Sequence, residues 1–341
     1  MRKERISIVK VLLIMVAAAW LAGAALYSPV AAAPAATGSP ENFGPSLAST
    51  CPNPEGIAAD PKGNIYASSF AFMPVANICV VNHGGSLVDM IPVAAGPGGV
   101  ASLLGMLFVP GQGLYVLDFA NGSAPNGRVL LVNPVTRGVK TIASGFAAPN
   151  GLAQDRHGML YVSDSFTGEI RKVAPDGSSN TLWVQSELLI PHGTPAFGAN
   201  GVAFDRNQRY LYVANTADDR VLRIPVEADG SAGPIEVFAD GAAINMAQGT
   251  THALDGADGI AFDVQGNLYV CANQANEIQV LSPSGALMTR YAGTGANALD
   301  FPASLVFRGR TLYITNLALS DPANSKLSVL KTPLPGAPLR P

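Results

Sequence analysis

The sequence predicts an all-β fold, a six-bladed β-propeller of four-stranded antiparallel blades. Three observations carry that expectation. One phrase, two short apolar runs around a polar or Gly-containing turn, recurs six times along the chain. A tyrosine stands at the same place in the second run of every copy: Tyr66, Tyr115, Tyr161, Tyr212, Tyr269 and Tyr313. The 36 Gly and 26 Pro among 341 residues speak for many turns rather than long helices.

The copies read EGIAADPKGNIYAS from Glu55, LGMLFVPGQGLYVLD from Leu104, NGLAQDRHGMLYVSD from Asn150, NGVAFDRNQRYLYVAN from Asn200, DGIAFDVQGNLYVCAN from Asp258 and ASLVFRGRTLYITN from Ala303. Apolar run, tight polar turn and apolar run make a β-hairpin. A third run follows, such as GEIRKVAP from Gly168, and usually a fourth, such as NTLWVQ from Asn180, so each unit is a four-stranded meander. The units start about 45 to 58 residues apart, the period of propeller blades; a solenoid of hairpins has shorter, more regular repeats. The last unit stops at its third strand, Leu327 to Lys331, and the segment from Phe43 to Thr50 is expected to supply its outer strand and close the ring. The propeller is thus placed at residues 43–332, with a Pro-rich tail at 333–341.

Residues 1–35 read as a separate segment. Arg2, Lys3, Arg5 and Lys10 precede an apolar run from Val11 to Leu26, then Pro29 and an alanine-rich stretch, the layout of a signal peptide cleaved between Ala32 and Ala36. Export to the periplasm or the extracellular space follows. The alternative is an uncleaved membrane anchor, the run being close to the ~20 residues of a spanning helix.

With 48% hydrophobic and 13% charged residues, the chain holds enough apolar material for a large core. Its net charge is −3; without the first ten residues Lys and Arg fall from 21 to 17 and Asp and Glu from 24 to 23, leaving −6. An acidic body without a basic cluster excludes nucleic acid as a partner and points to a small-molecule ligand, with membrane contact only if the N-terminal segment stays uncleaved; a monomer is expected. Cys51, Cys79 and Cys271 are too few and too scattered for a Cys-based zinc site. Cys51 and Cys79 either pair or stay free, and Cys271 is expected as a buried thiol.

In a propeller the first strand of each blade lines the central channel, so equivalent repeat positions meet in space. The opening residues are Glu55, Leu104, Asn150, Asn200, Asp258 and Ala303, four of which bring side-chain oxygen to one mouth. Two carboxylates and two amide carbonyls confined together suit one divalent cation: calcium best, then magnesium or manganese, with zinc as a further alternative. The competing explanation is that Asn-Gly and Asp-Gly are turn signals. A second polar ring is expected from Ser69, Asp118, Asp164, Asn215, Asn273 and Asn316, mostly as loop caps, with Asp118 or Asp164 reaching a metal through water. Asp60, Asp155, Asp205 and Asp263 fall at the far-end turns and are assigned to structure. His192 and His252 lie in long loops leading into site-bearing strands and are, with Asp258, the candidate catalytic residues.

Through the Glu-Gly, Asn-Gly, Asn-Gly and Asp-Gly pairs at Glu55, Asn150, Asn200 and Asp258, the chain resembles the regucalcin/gluconolactonase family of six-bladed propellers, also called the senescence-marker-protein or LRE-like family, and more distantly the paraoxonases. The resemblance covers about residues 50–332. It implies that these four residues bind one divalent metal and that Asp258 lies close to a hydrolysed lactone. It also implies an arginine for sugar hydroxyls two residues before Asn150, where this chain has Ala148; with the long loops near His192, His252 and Phe119–Arg128, this points to a substrate more apolar than a simple aldonolactone. The expected function is an exported metal-dependent hydrolase of lactones or similar cyclic esters, since no G-x-S-x-G elbow is present for a serine esterase route. The repeats are also similar to the NHL type, which leaves open a secreted, non-catalytic propeller binding a protein or small ligand.

Overall fold

Alternating apolar runs of five to eight residues cannot bury both faces of one small sheet, and the chain solves this by packing six sheets around an axis. The computed structural model describes residues 38–123 and 125–338. The expected signal segment 1–35, its cleavage window and the last three residues of the tail lie outside the described residues.

Blade 1 holds β2 (Pro54–Ala59), β3 (Ile65–Ser69), β4 (Val75–Val81) and β5 (Leu87–Ala94). Blade 2 holds β6 (Leu103–Val109), β7 (Gly113–Asp118), β8 (Gly127–Val132) and β9 (Val139–Phe146); blade 3 holds β10 (Pro149–Gln154), β11 (Leu160–Asp164), β12 (Glu169–Val173) and β13 (Asn180–Gln185). Blade 4 holds β14 (Ala199–Phe204), β15 (Tyr210–Asn215), β16 (Arg220–Pro225) and β17 (Glu236–Asp240), and blade 5 holds β18 (Ala257–Phe262), β19 (Leu268–Ala272), β20 (Glu277–Leu281) and β21 (Leu287–Tyr291). All pairs are antiparallel meanders in chain order. Blade 6 combines β22 (Pro302–Arg308), β23 (Thr311–Asn316) and β24 (Lys326–Lys331) with β1 (Glu41–Phe43) as its outer strand.

The closing strand therefore comes from the N-terminal side, but at Glu41–Phe43, which shares only Phe43 with the expected segment from Phe43 to Thr50. Gly44 takes a positive φ that ends β1, and Leu47 then turns inward, fully buried against Cys51, Cys79 and Leu327. Cys51 and Cys79 form a disulfide across this corner, and Cys271 is a free, buried thiol.

Six apolar clusters fill the six seams between blades, and each contains one repeat tyrosine. Four of these rings pack on a phenylalanine of the following blade: Tyr66 on Phe108, Tyr161 on Phe204, Tyr212 on Phe262 and Tyr269 on Phe307; Tyr313 packs on Phe43 of β1. The fixed tyrosine is thus the knob that joins blade to blade. Among the described residues the one α-helix, α1 (Gly241–Gln248), is capped by the Asp240 side chain and leads toward β18.

Candidate metal centre and active site

Each inner strand opens with an irregularity that aims one residue at the axis. The ladder between the first and second strands shifts register between Pro54 and Ile57, Leu103 and Met106, Pro149 and Leu152, Ala199 and Val202, Ala257 and Ile260, and Pro302 and Leu305. Every one of these bulges contains the residue that opens the repeat. A bulge bends the strand and re-aims a side chain, which is how Glu55, Leu104, Asn150, Asn200, Asp258 and Ala303 all come to face the channel, buried.

The glycine that follows five of the six ring residues, all but Ala303, has a steric cause. A Cβ on Gly56, Gly105, Gly151, Gly201 or Gly259 would lie under 3.0 Å from the backbone carbonyl of Leu104, Asn150, Asn200, Asp258 or Ala303, the ring residue of the next blade. These pairs are within strands, not turns, so the turn-signal explanation does not apply to them. Side-chain hydroxyls tie the ring together. Ser68 Oγ accepts from Gly56 N–H at 2.7 Å and donates to Leu104 O; Ser163 Oγ accepts from Gly151 N–H and donates to Asn200 O at 2.6 Å; Thr315 Oγ1 accepts from Ser304 N–H and donates to Glu55 O across the closing seam.

The carboxylates are tuned by this enclosure. Burial, and then the Asp258 charge, hold the Glu55 carboxyl well above its ordinary range. Burial pushes Asp258 up to about 7, opposed by the Asn273 and Asn200 side chains and the Gly259 N–H, which favour its charged form. Asn273 Nδ2 donates to Asp258 Oδ2 at 2.9 Å, Asn150 Nδ2 to Ser165 Oγ at 3.1 Å, and Asn200 Nδ2 to Thr216 Oγ1 at 2.9 Å. Glu55 Oε2, Asn150 Oδ1 and Asp258 Oδ1 remain buried without a partner. Among the described residues no three His, Cys, Asp or Glu side chains gather as a metal cluster. The candidate donor set is instead two carboxylates with amide oxygens, an all-oxygen set that fits a divalent cation of the calcium, magnesium or manganese kind.

The second polar ring differs from the sequence expectation at one blade. Counting three residues beyond each repeat tyrosine gives Ser69, Asp118, Asp164, Asn215, Ala272 and Asn316; Asn273 is the fourth residue beyond Tyr269. It shares that register with Ser165 and Thr216 and therefore supports a ring residue instead of capping a loop. Asp118 and Asp164 act as the expected loop caps. Asp118 accepts from Ser102 N–H and Ala120 N–H and pairs with Arg128, while Asp164 accepts from Ala147 N–H and Ala148 N–H. Asp60, Asp155, Asp205 and Asp263 hold the far-end turns as expected.

His192 and His252 are exposed, each with Nδ1 on a carboxylate: Asp218 Oδ2 at 2.8 Å for His192 and Asp255 Oδ2 at 2.8 Å for His252. Neither imidazole hydrogen-bonds to Asp258 among the described residues. Cys271, in the register of Ser68 and Ser163, lies behind the ring, where burial and the Asp258 and Glu55 charges raise its thiol well above the usual value. The far end of the channel holds a cavity of about 200 Å³ lined by Ile57, Met106, Leu152, Val202, Ile260 and Leu305, with Ala337 and Pro338 of the tail among its walls. Outside its apolar ring the wall also holds Gln154, Asp205, Arg206 and Gln208.

Residues 185–318 match the family model described as SMP-30/Gluconolactonase/LRE-like region, a stretch that contains Asn200, Asp258, His192 and His252. No curated protein matches the chain. Among solved structures, the calcium-binding protein regucalcin from Agrobacterium tumefaciens is similar at 17% identity over 86% of this chain and 95% of that one, with a TM-score of 0.60. A luciferin-regenerating enzyme is similar at 15% identity over 88% and 97%, with a TM-score of 0.63. A gluconolactonase from Xanthomonas campestris is similar at 17% identity over 85% and 88%, with a TM-score of 0.60. At these identities the likeness of the structures is one of fold.

Proposed function

We propose that this propeller, with its SMP-30/gluconolactonase/LRE-like region, is an exported, divalent-metal-dependent hydrolase of lactones or similar cyclic esters. The observation that supports it is the gathering of three buried, unpartnered oxygens, Glu55 Oε2, Asn150 Oδ1 and Asp258 Oδ1, at one channel mouth. A buried acceptor without a donor costs roughly 1–3 kcal/mol. Three of them around one axis are better accounted for by a bound cation than by packing. Glu55, Asn150, Asn200 and Asp258 would hold it, with calcium as the first candidate ion.

When bound, a divalent cation supplies a Lewis acid for an ester carbonyl and lowers the pKa of water. The chain's own groups position and move the proton. Asn273 fixes Asp258 Oδ2 and so orients the carboxylate, whose Oδ1 would face the ion while its charge favours release of the proton from the reacting water. His192 and His252, with Nδ1 held by Asp218 and Asp255, present Nε2 as the acceptor that passes the proton toward solvent. Hydrolysis adds water to the acyl carbon, breaks the ring C–O bond and releases a hydroxy acid. The Cys51–Cys79 disulfide suits the oxidising compartment that export implies.

The test uses mature protein recovered from the periplasmic or secreted fraction, stripped with chelator and assayed on a lactone panel with calcium, magnesium, manganese or zinc added back. Turnover should vanish with the metal, return with one of the ions, and fall by about 100-fold or more in Asp258→Ala. Turnover that survives both changes contradicts the mechanism. A firmly bound metal with no turnover of any lactone would mark a binding propeller, and recovery only in membranes with Met1 intact would mark an anchored protein.

A further inference from the structure

The same mouth has an aromatic side. Five of the 13 phenylalanines, Phe70, Phe72, Phe119, Phe166 and Phe197, form one connected group centred on Phe119. Ring centroids lie 4.8 Å apart for Phe70 and Phe72, 5.7 Å for Phe119 and Phe166, and 5.4 Å for Phe166 and Phe197. Their place in the repeat fixes which mouth they occupy. Phe70 and Phe119 stand four residues beyond Tyr66 and Tyr115, the register in which Ser165, Thr216 and Asn273 touch Asn150, Asn200 and Asp258. Phe119 packs in the same cluster as the ring residue Leu104 and as Ala148, with Phe70 and Phe197 against it.

The mouth thus has two kinds of lining: Glu55, Asp258, amides and hydroxyls on the ring, and beside them Leu104 with phenyl rings from blades 1 and 2, from the β11–β12 turn (Phe166) and from the loop into β14 (Phe197). Simple core packing does not account for the aromatic side. Phe72 is 45% exposed and Phe166 38% exposed, although both belong to the cluster. Phe72 also holds a φ of +50°, a region a bulky side chain rarely adopts, with its N–H fixed by Ser102 Oγ at 2.9 Å. Open phenyl faces beside buried oxygens match a ligand that is polar at one end and apolar at the other.

We propose that these five rings form the wall that receives the ring substituent of the substrate, so that the site selects cyclic esters carrying an apolar alkyl or aryl group over polyhydroxylated ones. This rests on the lactone-hydrolase reading of the ring beside them. Phe119 and Phe70 form the back of the wall, and Phe72 and Phe166 its open face.

The test measures binding and turnover separately. Calorimetry with metal-loaded protein compares δ-valerolactam, a ring that resists hydrolysis, with its 6-propyl and 6-hexyl derivatives; kinetics compare the corresponding lactones and glucono-δ-lactone. Affinity should rise by up to about fourfold per methylene on the wild type. In Phe72→Ser and Phe166→Ser, whose side chains are exposed, the gain from the hexyl chain, taken relative to unsubstituted δ-valerolactam on the same variant, should fall at least fivefold. Affinity independent of chain length, or a chain-length gain unchanged in both variants, overturns the aromatic wall. Efficient turnover of unsubstituted lactones and glucono-δ-lactone with no gain from the chain overturns the wall and keeps the lactonase. A chain-length gain in lactam binding with no turnover of any lactone keeps the wall and removes the lactonase.

Discussion

At the scale of single residues, two enclosed carboxyls decide how the protein behaves without metal. Glu55 and Asp258 both prefer the protonated form more strongly in the folded state than in a free chain, chiefly because burial disfavours their charge. An acid whose folded pKa is raised keeps a proton that the unfolded chain has already released. Stability of the chelated protein should therefore fall as pH rises from Asp258's ordinary 3.8 to about 7, then level off for that group. Melting temperatures taken with chelator across this window check the sign, and added calcium should restore stability most at the upper end. Asp258→Asn should flatten the decline and weaken metal binding by at least about 100-fold; a flat wild-type profile would remove the buried charge from the account. The ring residues were legible in the sequence because the residue that opens the repeat, the glycine after most of them and the tyrosine recur together, while the bulge that aims them was not. Asn273 was misplaced because CAN in blade 5 looks like the SD and AN endings of its neighbours while standing one residue further along. The hydroxyl supports Ser165 and Thr216, and the phenylalanines in their register, were equally available by counting four beyond each tyrosine.

At the scale of elements, the seam between blades is the unit of stability. Tyr269 is almost fully buried and meets Phe307 edge to face at 5.0 Å. Tyr269→Ala should lower unfolding stability by about 3–5 kcal/mol, as large-to-small changes of aromatic core residues do, read from denaturant midpoints at unchanged slope. A loss below about 1 kcal/mol would mean that the seam collapses around the gap and that the tyrosine is not its knob. The hairpins and the third and fourth strands follow directly from apolar alternation around Gly-containing turns. The closing strand was harder to place: β1 is three residues long, and the stretch from Gly44 to Cys51, GPSLASTC, shows no alternation and turns inward to bury its one large apolar residue, Leu47. Short edge strands carry little periodicity, and tertiary packing decides their register.

At the scale of the whole molecule, six bulged strands concentrate polar groups at one mouth and leave apolar rings at the other, where the tail packs beside the cavity. This polarity follows from the repeat: the ring residue precedes the glycine, and the apolar residues Ile57, Met106, Leu152, Val202, Ile260 and Leu305 follow it in the same strands. Chemistry that depends on the ring requires the propeller to be closed, because Glu55 on blade 1 and Asp258 on blade 5 meet only across the seam where Thr315 donates to Glu55 O. A divalent cation at this mouth is what would turn the ring into a reaction centre. Anomalous diffraction from a crystal of the mature protein soaked in manganese is the measurement for it. One strong peak is expected on the channel axis within about 2.6 Å of Glu55 Oε2, Asn150 Oδ1 and Asp258 Oδ1, absent from Asp258→Ala crystals of the same fold. A peak elsewhere with none at these oxygens, or the same axial peak in Asp258→Ala, would contradict it.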